Sequence, residues 1–242
     1  NNSQNGDTIF VKTGTYYEHL TIDKIITLEG EERNQTILMG NRVEDGIRIE
    51  SNNVIIKNLN ITNHYYNIYI EKYSNIQIIN NTIINSDYCL LYTRRYSHLI
   101  SVMGNYFYKP DKGALYFGGD LLYIKNNYLN TITLRTKGTS YIINNYIYNC
   151  FLYAIQIDTP FTQNNYSYIE NNHIGNCHTG ITGMTMSIKN CTIINCSRGI
   201  EPNGQKLFIE NVSIYNCSTG FFTSISSRKE SVVLNITIEN CH

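Results

Sequence analysis

The sequence predicts an all-β chain wound as a single-stranded right-handed parallel β-helix, a solenoid of about ten coils of roughly 22 residues. The first observation behind this is a repeated frame. With Ile188 as offset zero, Asn190 stands at offset two, Ile193 at five, Asn195 at seven, Cys196 at eight, Gly199 at eleven and Ile200 at twelve. The frame returns from Ile169 (Asn171, Ile174, Asn176, Cys177, Gly180, Ile181) and from Ile209 (Asn211, Ile214, Asn216, Cys217, Gly220, Phe221). It opens again at Val233, followed by Asn235, Ile238, Asn240 and Cys241. Looser copies begin at Ile56, Ile78, Val102, Ile124 and Ile142, so successive anchors lie 18–27 residues apart. The second observation is period-two alternation in short Ile-rich runs such as Phe208-Ile209-Glu210, which is strand chemistry. The third is Asn and Gly at fixed offsets. These residues tolerate left-handed backbone and so mark recurring turns.

Three short strands and three turns fill one such coil. Stacked coils place each strand beside its own copy, parallel and about 4.8 Å away, so repeated residues pile up along the axis. Apolar residues at offsets zero, five and twelve fill the interior. The Asn at offset two (Asn171, Asn190, Asn211, Asn235) and at offset seven (Asn176, Asn195, Asn216, Asn240) are expected to form buried side-chain amide ladders. A leucine-rich repeat has a similar period, but its Leu-x-x-Leu-x-Leu consensus is absent.

Taken in order, residues 1–8 form a polar N-terminal arm and residues 9–242 form coils of one domain, because no linker or composition break interrupts the repeat. From Thr36 to Ile70 come two coils, with apolar sets Ile37-Leu38, Ile47 and Ile49, Val54-Ile55-Ile56, and Leu59 and Ile61. Residues 84–140 are less regular, with longer turns expected at 87–89, 109–113 and 118–120. The long step from Ile142 to Ile169 makes room for a loop near residues 159–165. Beyond 166 the repeat is at its cleanest.

The opening segment carries Gly14-x-Tyr16, Glu18, Leu20-x-Ile22 and Ile26-x-Leu28-x-Gly30. It resembles the first coil of the pectate-lyase-like superfamily, which includes pectin methylesterases and β-helix surface proteins of archaea and bacteria. The resemblance implies the fold. It leaves function open, because this scaffold hosts lyases, hydrolases, epimerases, tailspikes, adhesins and wall proteins without activity.

Net charge is formally zero and 16% of residues are charged, which excludes a nucleic-acid binder with a basic face. No apolar run approaches the length of a membrane span. The chain opens without Met and without a signal peptide, as a trimmed product would. With 34 Asn, 21 Tyr and no Trp, its polarity suits an extracellular setting.

Catalysis on polysaccharides needs convergent carboxylates, or a Ca²⁺ site with a nearby basic residue. No Asp-Asp pair occurs, and the seven Asp are scattered, mostly one per coil. Asp87, Asp111 and Asp158 with Arg94, Arg95 and Arg135 are the best set, set against turn-capping Asp and solvated Arg. The six His lack metal-ligand spacing, so no catalytic residue, metal or cofactor is assigned.

Cys150, Cys177, Cys196, Cys217 and Cys241 share offset eight and should form one column, with Cys89 and Cys191 elsewhere. Neighbours in the column fall inside the Cα window of a disulfide. The candidate pairs are Cys150–Cys177 with Cys196–Cys217, or Cys177–Cys196 with Cys217–Cys241. Stacked apolar thiols are the alternative. Seven is odd, and Cys241 is expected to stay free or to pair with another chain. Tyr106, Tyr128 and Tyr146 at offset four, and Tyr123, Tyr141 and Tyr168 before the anchor, should point outward. There they stack on each other, meet another chain or hold sugar rings. Of ten Asn-x-Ser/Thr sequons, Asn34, Asn60 and Asn165 are the expected glycan carriers. Six others, among them Asn80, fall on ladder positions and should be buried.

With the repeat still in frame at His242, the expectation is a non-enzymatic extracellular structural protein, the subunit of a surface layer, sheath or filament. Its partners would be copies of itself, stacked end to end with or without disulfide links, or cell-wall and surface glycans, with no nucleic acid and no membrane span. A polysaccharide lyase, hydrolase or epimerase is the alternative, and an adhesin or carbohydrate-binding module the next.

Overall fold

A computed structural model describes residues 2–94, 96–158, 166–203, 206–222 and 230–241, with backbone alone at 110–113 and 230. The described residues form 28 strands and no helix. They wind into a right-handed parallel β-solenoid of about ten turns, as the repeat predicts. Three parallel sheets run the length of the stack. The first contains Thr27–Gly30, Ile55–Lys57, Ser74–Ile79, His98–Met103, Asp120–Lys125, Ser140–Ile143, Ser167–Glu170 and Met186–Lys189. The second contains Thr36–Met39, Asn60–Thr62, Thr82–Ile84, Tyr146–Tyr148, His173–Gly175 and Thr192–Ile194. The third contains Ile47–Ile49, Tyr66–Ile70, Cys89–Thr93, Tyr153–Ile157, Thr179–Gly183 and Arg198–Pro202. The strands Tyr106–Phe117 and Tyr128–Thr136 bend from the second sheet into the third.

In-register stacking turns each apolar offset into a column. Ile56, Ile78, Val102, Ile124, Ile142, Ile169, Ile188 and Ile209 lie directly over one another and are fully buried. Burying one such side chain contributes about 1.5–3 kcal/mol, so each coil is stabilised mainly by its two neighbours.

The turns correct the asparagine expectation. Asn at offsets two and seven is not buried: Asn80, Asn171, Asn176, Asn190, Asn195, Asn211, Asn216, Asn235 and Asn240 are exposed. Each has a φ between 50° and 55°, so its position is fixed by left-handed backbone, which Asn adopts more readily than other non-glycine residues. Amide-to-amide bonds still run along this exposed edge, as from Asn195 to Asn176 at 3.2 Å, Asn211 to Asn190 at 3.2 Å, Asn235 to Asn211 at 3.2 Å and Asn240 to Asn216 at 3.2 Å.

The buried ladder lies one residue further on, at offset three: Asn81, Asn105, Asn127, Asn145 and Asn172. Asn105 Oδ1 accepts the Asn81 backbone N–H at 2.8 Å and its side-chain N–H at 3.1 Å. Asn127, Asn145 and Asn172 repeat this pair of bonds at 2.9–3.1 Å. Each amide also donates to a carbonyl of the coil before it, as Asn127 does to Val102 at 2.9 Å. Beyond Asn172 the column continues as Cys191 and Val212.

None of the candidate disulfides is made: all seven cysteines are free thiols. In-register strands hold Cβ atoms near the inter-strand spacing, about 4.8 Å, with side chains parallel, whereas a disulfide draws them to about 3.8 Å. Cys150, Cys177, Cys196 and Cys217 instead sit buried at the turn before the third sheet. Cys177 Sγ accepts the Cys150 N–H at 3.4 Å, and Cys241 Sγ accepts the Cys217 N–H at 3.2 Å. Residues 106–117 also differ from expectation. No open turn interrupts them; one strand runs through, with its register shifted between Tyr108 and Gly113.

Two outcomes follow from this packing. Asn127→Ala leaves neighbouring amide groups unpaired and is expected to cost about 1–3 kcal/mol in urea unfolding; a loss under about 0.5 kcal/mol contradicts the ladder's role. Burial pushes the Cys191 and Cys217 thiols up to about 11 and Cys89 up to about 12. Unfolded thiols lose protons near 9 while the folded ones keep theirs, so this stabilisation is complete below pH 9 and falls as pH rises through 11. Tm measured from pH 8 to 11 is expected to fall less steeply in Cys191→Ala than in the unaltered chain.

Candidate functional site

The third sheet turns a chemically distinctive column outward. Alternation buries Ile47, Ile68, Leu91, Leu115, Leu134 and Ile155, so the residues after them point to the outer face, where Tyr69 is itself covered and buried while Tyr92 and Tyr116 stay half-buried. Register places Arg48, Tyr69, Tyr92, Tyr116, Arg135 and Gln156 in one row. Tyr69 and Tyr92 stack with ring centres 5.7 Å apart, and Tyr92 and Tyr116 at 5.0 Å. Cations cover both ends of the stack. Arg48 lies 4.5 Å and Arg94 5.9 Å from the Tyr69 ring centre, while Lys137 lies 5.6 Å and Arg135 5.8 Å from that of Tyr116.

A hollow of about 640 Å³ opens on this row, lined by Glu71, Lys72, Tyr92, Arg94, Tyr116 and Lys137 among others. Glu71 contacts Arg94 at 3.0 Å and Arg48 at 3.8 Å. Lys137 makes no ion pair among the described residues. Three cations against one carboxylate leave the hollow locally positive in a chain of formal charge zero. Burial, then the neighbouring Tyr116 phenol, raises the pKa of Tyr92, with Arg94 opposing. Burial and Tyr65 push Tyr66 up to about 12. These phenols stay protonated at neutral pH and act as ring edges and hydrogen-bond donors.

A smaller hollow of about 250 Å³ continues the face past Gln156, Asp158, Thr182 and Asn203. Both Asp158 oxygens are occupied, by Arg135 Nε at 2.8 Å and by Gln156 Nε2 at 3.0 Å.

Of the acid and base candidates, the structure brings Arg94, Arg135 and Asp158 to this face. Asp87 is exposed at a turn, where its carbonyl accepts Lys109 Nζ at 2.9 Å. Arg95 and the Asp111 side chain lie outside the described residues. Sequence reasoning missed Tyr69, Tyr92, Tyr116, Glu71 and Lys137. Two signals were present: one-coil spacing of the three Tyr, and Arg135-Thr136-Lys137, whose ends share a face by alternation.

The other candidates sit elsewhere. Tyr123, Tyr141 and Tyr168 stack on the outer first sheet, 5.0 and 4.9 Å apart. Tyr106 and Tyr128 stack on the outer second sheet at 5.4 Å, with Tyr146 above them and 5.7 Å from His173. Asn34 is exposed and accepts the Thr82 hydroxyl at 2.9 Å. Asn60 is half-buried with Oδ1 enclosed and unpaired, and Asn165 lies outside the described residues. Among the described residues no group of three or more His, Cys, Asp or Glu is placed to hold a metal ion. No described helix is long and apolar enough to cross a membrane.

No protein-family model and no curated protein matches the sequence. Solved structures do match the fold. The catalytic domain of a GH87 α-1,3-glucanase in complex with nigerose superimposes with TM-score 0.67 at 15% identity, over 96% of this chain and 60% of that one. The A-module of the Azotobacter vinelandii mannuronan C-5 epimerase AlgE4 gives 0.70 at 9% identity, over 97% and 87%. Pectate lyase Pel9A gives 0.64 at 12%, over 100% and 71%.

The chain shares the parallel β-helix fold of these structures. It spans 60% of the length of the glucanase domain. The comparison corrects the expectation of a non-enzymatic surface-layer, sheath or filament subunit. The three solved chains named above, which share its winding over nearly the whole of its length, are polysaccharide-acting enzymes. Missing sequence motifs had carried that expectation, and the groove is assembled from residues a full coil apart, which no short motif records.

Proposed function

We propose that this chain is the β-helical core of an enzyme acting on an anionic, uronate-bearing polysaccharide held along the outer face of the third sheet. The observation that carries the reading is the Tyr69–Tyr92–Tyr116 row flanked by Arg94 and Lys137. Tyr92 and Tyr116, the two rings of the row that line the hollow, lie 5.0 Å apart, comparable to the length of one pyranose residue, so a polymer laid parallel to the axis meets them with successive sugars while the buried Tyr69 supports the stack. The surplus of cations suits carboxylates in the polymer.

Elimination and C5 epimerisation of uronates both begin with transfer of the proton beside the carboxylate to a base, and Glu71, the carboxylate that lines the hollow, is assigned to take it. Cations that neutralise the charge developing on that group lower the barrier. Arg94 and Lys137 are assigned to the carboxylate, and the protonated Tyr92 phenol to hydrogen-bonding the glycosidic oxygen. Hydrolysis of a neutral glucan draws less support. It needs two carboxylates about 5–9.5 Å apart, and among the described residues lining the smaller hollow Asp158 has no carboxylate partner. The polymer-facing groove and the fold neighbours favour an extracellular site of action.

The test is incubation with polygalacturonate, alginate and α-1,3-glucan, reading unsaturated uronide, C5 configuration and reducing ends. A uronate polymer is expected to turn over, with kcat/KM reduced about 100-fold in Lys137→Ala. Tyr92→Ala is expected to raise KM about tenfold. Turnover of the neutral glucan alone, or uronate turnover indifferent to Lys137→Ala and Arg94→Ala, overturns the proposal. Binding without any turnover removes the enzyme and leaves a carbohydrate-binding module.

A further inference from the structure

The second sheet carries another outward column: Asn60, Thr82, Tyr106, Tyr128, Tyr146 and His173. Tyr106 and Tyr128 are stacked within 9° of parallel. Their row is open, with Tyr128 40% and Tyr146 56% exposed. At its lower end Arg33 reaches across two coils. Its Nε donates to Thr82 Oγ1 at 3.0 Å, one terminal nitrogen to Asn80 Oδ1 at 3.1 Å and Gly104 O at 3.4 Å, and the other to Asn81 O at 2.8 Å.

All four acceptors are neutral, and Arg33 makes no ion pair among the described residues. The guanidinium has five N–H donors, so one remains, together with the whole positive charge. It forms the wall of a hollow of about 460 Å³ that Tyr106 and Tyr128 also line. A half-buried cation without a counter-charge, fixed in orientation beside exposed phenol edges, is complementary to an acidic sugar.

We propose that this ledge is a second, non-catalytic binding site for an acidic polysaccharide, with sugar rings against Tyr106 and Tyr128 and a carboxylate on Arg33. It lies on a different sheet from the groove and shares no residue with it, so it stands or falls separately from the proposed activity. Its role is to hold a stretch of acidic polymer on this chain, whether or not the groove turns one over.

The experiment disables the groove first. Hexagalacturonate and hexamannuronate are titrated into the folded Arg94→Ala/Lys137→Ala protein, followed by calorimetry and by tyrosine resonances, with cellohexaose as the neutral control. Residual binding of an acidic hexamer is expected, weakened roughly tenfold by added Tyr128→Ala and by Arg33→Gln, and reduced by salt. Tyr128→Ala keeps the test open if Arg33→Gln fails to fold, because Arg33 also ties its turn to two coils. No residual binding of either acidic hexamer, binding indifferent to Tyr128→Ala, or equal binding of cellohexaose overturns the site.

Discussion

A buried amide has no water to fall back on, and that constraint sets the stacking of this molecule. Each of Asn105, Asn127, Asn145 and Asn172 accepts two hydrogen bonds from the asparagine of the preceding coil and donates to main-chain carbonyls. A slip of one residue between coils breaks all of these at once, and an unpaired buried polar group costs about 1–3 kcal/mol. Apolar columns cannot enforce this: Ile over Ile tolerates a small shift, whereas a directed N–H to a carbonyl oxygen does not. Over the coils from Asn81 to Asn172 the ladder therefore reinforces register, and the Ile columns supply most of the stabilisation along the whole stack.

The same coupling explains which asparagines were misread. Asn190 and its equivalents recur as strictly as any residue in the chain, and strict recurrence suggested a buried ladder. Their recurrence comes from backbone conformation instead, with φ near 51° at Asn190 and 53° at Asn195. The true ladder, Asn81 to Asn172, ends in the first of the cleanest repeats, because Cys191 and Val212 take its place in the next two. A frame drawn from the cleanest repeats therefore missed it. Column membership was legible throughout, since alternation and period fix it. What was not legible was the direction of side chains at the corners, where one residue's difference separates an exposed left-handed turn from a buried amide. The cysteines repeat the lesson. Their column was legible, but parallel side chains at strand spacing stack rather than bond.

The groove was hidden for a related reason. Catalytic signatures are sought as short strings, and only Arg135-Thr136-Lys137 is local. Tyr69, Tyr92 and Tyr116 become neighbours through coil stacking, as do Glu71 and Arg94, which stand 23 residues apart. In a solenoid a site is a column, and its signal is a change in composition at one offset over a few successive coils. On the third sheet that offset reads Arg, Tyr, Tyr, Tyr, Arg, Gln, Thr, Glu from Arg48 to Glu201. The aromatic and cationic stretch is confined to its first five coils.

Charge then separates the faces. The chain as a whole is neutral, so no long-range field draws an acidic polymer toward it. Screening over about 8–10 Å in physiological salt leaves only local charge to act. Lys137 and Arg94 beside the Tyr92 stack, and Arg33 beside the Tyr106 stack, are each within that reach of a row of phenols. The first sheet has an equally regular stack in Tyr123, Tyr141 and Tyr168, with Lys125 5.5 Å from the Tyr123 ring and Glu170 two coils further along the same column. Stacked tyrosines alone stabilise a coil boundary and appear on all three faces. On the proposed reading, what makes a row selective for an acidic ligand is cations gathered without matching carboxylates, as at Arg33 on the second sheet and at Lys72, Arg94 and Lys137 against Glu71 on the third.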